Sequence, residues 1–167
     1  AVQTMDTTND ILELLSSIIE TEVCRKQLAS SSWVSLLVGL LHFGSDVMQR
    51  KAMNLVITLL PLCAPQNLSV EIPVLSENEY EMAPSVNKDT DIVGNAQSLV
   101  LYFLRIIGVA HLPNQKLHQT SKKNCLTNLP FLAKSYILLL RNLLSVPAWH
   151  GLVVNVLHQS LESFSSV

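Results

Sequence analysis

The chain has 167 residues, of which 49% are apolar and only 14% charged, and its net charge is −2. A chain this apolar offsets the ordering entropy of one domain, which excludes whole-chain disorder, and its near-neutral charge leaves no basic footprint for nucleic acid. Five glycines and 5% aromatics argue against an all-β sandwich, a Rossmann unit or a Gly-rich phosphate cradle.

In chain order, Ile11, Leu12, Leu15, Ile18 and Ile19 recur at the helical period and predict a helix over 9–22, with Thr8 or Asn9 as its cap. Residues 23–28 read as a short helical step ending at the serines Ser30–Ser32. Those serines introduce a second helix over 33–43, whose face is Val34, Leu37, Val38 and Leu41. Gly44 follows where a left-handed C′ residue is expected. A third helix, capped by Ser45 or Asp46, carries Met48, Ala52, Leu55, Leu59 and Leu62 on one stripe until Pro61 and Pro65 stop it.

Residues 65–92 change character. Pro65, Pro73 and Pro84 punctuate a stretch in which Glu71, Glu77, Glu79, Glu81, Asp89 and Asp91 face only Lys88, and neither period survives. The expectation is an acidic, flexible insertion between a helical unit over 1–64 and its continuation over 93–167. Helical spacing resumes at Val93 and lasts to Ala110, with Leu99, Phe103, Ile106 and Ile107 pointing inward. Asn128-Leu129-Pro130 opens a helix to Leu144 along Leu132, Tyr136, Leu139, Leu140 and Leu143. Ser145 and Pro147 open a last one to Phe164, with Trp149, Leu152, Val153, Val156, Leu157 and Leu161 on its apolar side. The predicted class is all-α: five longer helices, one or two short ones and no strand.

Cys24, Cys63 and Cys125 form no CxxC pair, and the amino terminus has neither the basic nor the apolar region of a signal peptide. The expected setting is therefore a longer, cytoplasmic protein, in which the sequon Asn67-Leu68-Ser69 would be idle. Residues 142–161 carry no formal charge, but Pro, His and Asn interrupt them, so buried helices fit better than a membrane span.

Helices with broad apolar faces and short capped turns suggest units stacked side by side, each burying its neighbour's face. At specific points the chain resembles armadillo repeats. Ile11–Ile19 is similar to the third helix of one repeat, and residues 22–28 to the short first helix of the next. Trp33–Leu41 resembles the second helix's "pxLvxLL" core, and Gly44–Ala52 the entry to the third helix. The resemblance covers about 55 residues and implies an armadillo-like right-handed helical solenoid with an extended groove. More loosely, the alternation of helical pairs with acidic insertions resembles the spacer regions of giant HERC-type ubiquitin ligases, which combine β-propellers with a HECT domain.

Chemistry is sparse. Cys125, in Asn124-Cys125-Leu126-Thr127-Asn128-Leu129-Pro130, faintly resembles the HECT active-site stretch but lacks the flanking Thr and aromatic residue. Lys122 and Lys123 beside it would favour the thiolate slightly. His42, His111, His118, His150 and His158 have no ligand spacing for zinc. No set of nucleophile, base and orienting group occurs, so no catalytic, cofactor or metal residue is expected. What remains is binding of a protein partner, as a helix or extended peptide in a groove, with neither nucleic acid nor membrane involved. The candidate interaction edge is Lys116, Lys122, Lys123, Lys134 and Arg141. Either the acidic insertion folds onto this edge as a gate, or the two polar stretches stay apart. Exposed ion pairs are worth only ~0–1 kcal/mol, which favours separation. The competing functional readings are an enzymatic fragment acting through Cys125 and a membrane-associated helical segment.

Overall fold

The computed structural model describes residues 2–73, 91–110 and 129–165. Seven α-helices are found there: α1 Val2–Ile18, α2 Glu22–Leu28, α3 Ser31–Phe43, α4 Asp46–Leu59, α5 Ala96–Ala110, α6 Leu129–Leu144 and α7 Pro147–Ser165. Six of them have 13 to 19 residues and only α2 is short, with 7. The helical expectation therefore stands as to class; the six longer stretches traced in sequence each correspond to one of these helices, one more than the count of five given there.

Side-chain caps mark the starts of α4 and α5, whereas α1 begins at Val2, ahead of the expected start at Asn9, so that Thr8 and Asn9 lie inside it and do not cap it. Ser45 is the N-cap of α4, its hydroxyl accepting from the Met48 amide at 3.4 Å. Asn95 caps α5 more tightly, its Oδ1 accepting from the Ser98 amide at 3.0 Å. Pro61 ends α4 earlier than the apolar stripe suggests. The chain tightens into a 3-10 turn over Leu60–Leu62, which carries Leu62 out to solvent rather than inward. Gly44 departs from expectation as well, because its φ is −74° and no glycine has a positive φ. Its need for glycine is steric: a Cβ there would collide with the Leu40 carbonyl oxygen.

Helix α4 is the axis of the amino-terminal half and packs against α1, α2, α3 and, across the molecule, α6. Ala52, Leu55 and Val56 are fully enclosed on it. Gln49, also buried, donates through Nε2 to the Leu41 carbonyl at 3.0 Å. That bond satisfies one of the last four carbonyls of α3, which have no partner within the helix. Lys51 reaches from α4 to α1, donating to Asn9 Oδ1 at 2.7 Å and to Glu13 Oε1 at 2.8 Å. Helices α5, α6 and α7 pack on one another as a second group. Trp149 closes the seam between the groups, its buried indole N–H donating to the Cys63 carbonyl at 2.9 Å.

One element overturns the expectation of no strand. Residues Val70–Pro73 (β1) and Asp91–Gly94 (β2) pair antiparallel, with Val70 opposite Gly94 and Glu71 opposite Val93. Val70 and Ile72 are buried while Glu71 is exposed, so β1 alternates in and out over its first three residues as a half-buried strand does, and Pro73 is buried as well. Four residues with a proline at the end are too short a run for that alternation to stand out in sequence. Leu68 joins Val70 and Ile72 in the core. The first part of the stretch read as an acidic insertion is thus built into the fold, and residues 74–90 lie outside the described residues.

Candidate interaction groove

A cavity runs along α3 where the hairpin lies beside it. It has a volume of about 700 Å³ and is lined by Ser31, Ser32, Ser35, Leu36, Gly39, Leu40 and Phe43 of α3, with Ser69, Glu71 and Val93 from the hairpin side.

The serines explain how the hairpin is held there. Ser31 Oγ accepts from the Ser69 amide and Ser35 Oγ from the Glu71 amide, both at 3.1 Å. Residues four apart on a helix rise about 6.0 Å, and residues two apart on a strand about 6.7 Å. The two spacings nearly match, so β1 runs beside α3 in the same direction with two hydroxyls in place of a neighbouring strand. Because Ser69 and Glu71 turn their amides to α3, Val70 and Ile72 turn theirs to β2. The outer edge of β1 is covered in the way natural sheets cover exposed edges. At the hairpin's exit Gly94 is tight: a Cβ there would meet Ile72 Cδ1 at 2.6 Å and Ser98 Cβ at 2.8 Å.

The surface of the groove is apolar where solvent meets it. Leu36 is 49% exposed, Phe43 64% and Val93 65%. These side chains lie beside Gly39, where an added Cβ would touch nothing within 4 Å. Helix α3 carries no formal charge, and Glu71 is the single ionisable residue among those lining the groove. The exposed apolar side chains here gather along one concavity rather than lying scattered singly.

Behind the groove α3 is tied to α5. His42 Nδ1 lies 2.9 Å from the Tyr102 hydroxyl. Burial holds the Tyr102 phenol well above the ordinary tyrosine range, and the neighbouring Tyr136 adds to the shift. The phenol therefore stays protonated, and which of the two atoms donates is set by the histidine tautomer. Burial likewise raises Tyr136, whose ring is 5.3 Å from that of Phe103. These are core groups facing one another and not the groove.

Of the expected basic edge, Lys134 and Arg141 lie exposed on α6, seven positions apart and so on one side of it. Lys116, Lys122 and Lys123 lie outside the described residues, as does Cys125, and so does the proposed meeting of acidic and basic stretches. Cys63 is buried and burial pushes its thiol up to about 11, so its nucleophilic thiolate is disfavoured. His150 Nδ1 contacts the Leu144 carbonyl at 2.9 Å, and His158 pairs with Glu162 at 3.1 Å in exposed positions. Among the described residues, no three His, Cys, Asp or Glu side chains gather where a metal would sit, and no helix is long and apolar enough to cross a membrane.

Sequence reasoning missed the groove. Ser30–Ser32 were legible as a helix start, yet Ser30, at the N-cap position, makes no side-chain cap bond. Ser31 instead serves β1. The available signal was Ser31 and Ser35 one turn apart on a helix otherwise rich in large apolar residues.

The chain matches no protein-family model, and no curated protein or solved structure matches it either.

Proposed function

We propose that this chain is a non-catalytic protein-interaction scaffold and that the groove between α3 and the β1–β2 hairpin is the surface it offers. The observation that carries the reading is the exposure of Leu36, Phe43 and Val93 along one concavity. Helix α3 has a dry face of Val34, Leu37, Val38 and Leu41 already, so its stability does not require the second apolar face. The armadillo-like points between Ile11 and Ala52 support a wider form of the proposal, a right-handed solenoid segment of a larger cytoplasmic protein. The looser resemblance to HERC-type spacers extends it to a ubiquitin ligase, in which this segment would hold a partner while another domain does the chemistry.

The test is a plug. A tryptophan in Gly39→Trp has room to stand in the groove, since a Cβ there meets nothing, and loss of a mid-helix glycine favours the helix. Wild type and Gly39→Trp are compared as baits, with Ile137→Asp as a control on exposed α6 and circular dichroism to confirm folding. The expected result is a protein retained by wild type and the control and lost by the plugged form. Identical capture by all three would overturn the groove as the binding surface.

A further inference from the structure

The groove's dimensions and its hydrogen-bonding groups say what shape of partner it fits, on the footing of the scaffold reading above. Along α3, Ser31 and Phe43 are about 18 Å apart. That length matches about five residues of extended chain at about 3.3 Å each.

The hydroxyls discriminate further. Ser31 and Ser35 each accept an amide from β1, and a hydroxyl that accepts still has its hydrogen to donate. Both residues line the groove, one helical turn apart. The carbonyls of residues i and i+2 in an extended chain repeat at about 6.7 Å, close to the serine spacing of about 6.0 Å. The same near-match that seats β1 on one side of these serines is available to a second strand on the other. A helix could not use it, because its carbonyls are already bonded within the helix, apart from the last turn.

The side chains then set the composition. Glu71 is exposed, forms no ion pair with any described residue and stands where Ser35 receives its amide. One turn further along α3, Gly39 leaves space between the exposed Leu36 and Phe43. One turn of helix is two residues of strand, and residues two apart in a strand point the same way. We infer that the groove binds an extended segment of about five residues, main chain along Ser31 and Ser35, with a Lys or Arg at Glu71 and a large apolar residue two positions away at Gly39. The charge sign, the apolar surface and the spacing all come from residues of this chain.

The test uses random heptapeptides displayed on phage and selected on the full chain, with counter-selection on Gly39→Trp. Expected is enrichment of a basic and a large apolar residue two positions apart. A soluble selected peptide should weaken about fivefold when its basic residue is changed to Glu, the size of an exposed ion pair, and Glu71→Lys in the protein should restore that loss. Ser35→Ala should weaken binding further than Ser35→Thr, which keeps the hydroxyl. Enriched peptides with apolar residues three and four apart would overturn the extended occupant in favour of a helix. Peptides indifferent to Glu71→Lys, or no enrichment over the plugged form, would overturn the inference outright. None of these failures touches the capture comparison of wild type and Gly39→Trp, which tests the scaffold reading separately.

Discussion

Helices α3 and α4 follow one another across the Gly44–Ser45 turn and pack together, yet they meet solvent in opposite ways. Helix α4 carries Asp46, Arg50 and Lys51, and its buried residues are Met48, Gln49, Ala52, Met53, Leu55, Val56 and Leu59. Helix α3 carries no formal charge and buries only Val34, Leu37, Val38 and Leu41. The helix with more charges is the more deeply enclosed, because four other helices surround α4 and its charged side chains reach out between them. The more apolar helix leaves Leu36 and Phe43 in water. Apolar content alone therefore does not rank burial; the number of neighbours does.

Matched truncations give the largest contrast. Leu55→Ala in α4, where the side chain is fully buried, should cost about 2–5 kcal/mol in urea unfolding. Leu36→Ala in α3, half exposed, should stay within about 1 kcal/mol. Equal losses would abolish the distinction between the two helices. Enlarging small residues should then give opposite signs. Ala52→Leu, at a fully enclosed position, should destabilise by about 1–3 kcal/mol through overpacking. Gly39→Ala, where a Cβ meets nothing, should stabilise by about 0.5–1 kcal/mol, read as a rise in thermal midpoint. A loss at Gly39 would mean that the groove is filled by the protein itself.

The smallest effect tests how α4 is fastened to α1. The hydrogen bond and positive charge of Lys51 hold the exposed Glu13 carboxyl below its ordinary value of 4.5. A depressed carboxylate contributes stability above its unfolded-state value and loses it as pH falls through the folded one. Melting temperature should therefore fall slightly on acidification below about pH 4.5, and Lys51→Met should remove that part of the slope. A carboxyl of Glu13 titrating normally by NMR would show that the pair does not persist in solution.

Much of the core was legible before any coordinates. Val34, Leu37, Val38 and Leu41 on α3 and Leu132, Tyr136, Leu139, Leu140 and Leu143 on α6 are all buried as their spacing predicts. Other members of predicted stripes are not. Ile11 is 45% exposed and Leu161 66%, each on the open side of its helix. The groove was illegible for a related reason. Its walls come from residues 31–43, 69–71 and 93, and two of its anchoring bonds join partners 38 and 36 positions apart. No window that reads periodicity spans such separations.

By itself the sequence determined that this chain is helical, where most helices begin and end, and which stripe of each turns inward, because those follow from the 3.6-residue period and from capping and proline chemistry within a few positions. Only the tertiary structure decided that Val70 and Ile72 are a strand, that α4 is enclosed while α3 is half open, and that two serine hydroxyls stand in for a sheet edge. Those outcomes depend on which surfaces meet across the chain, and local spacing holds no information about them.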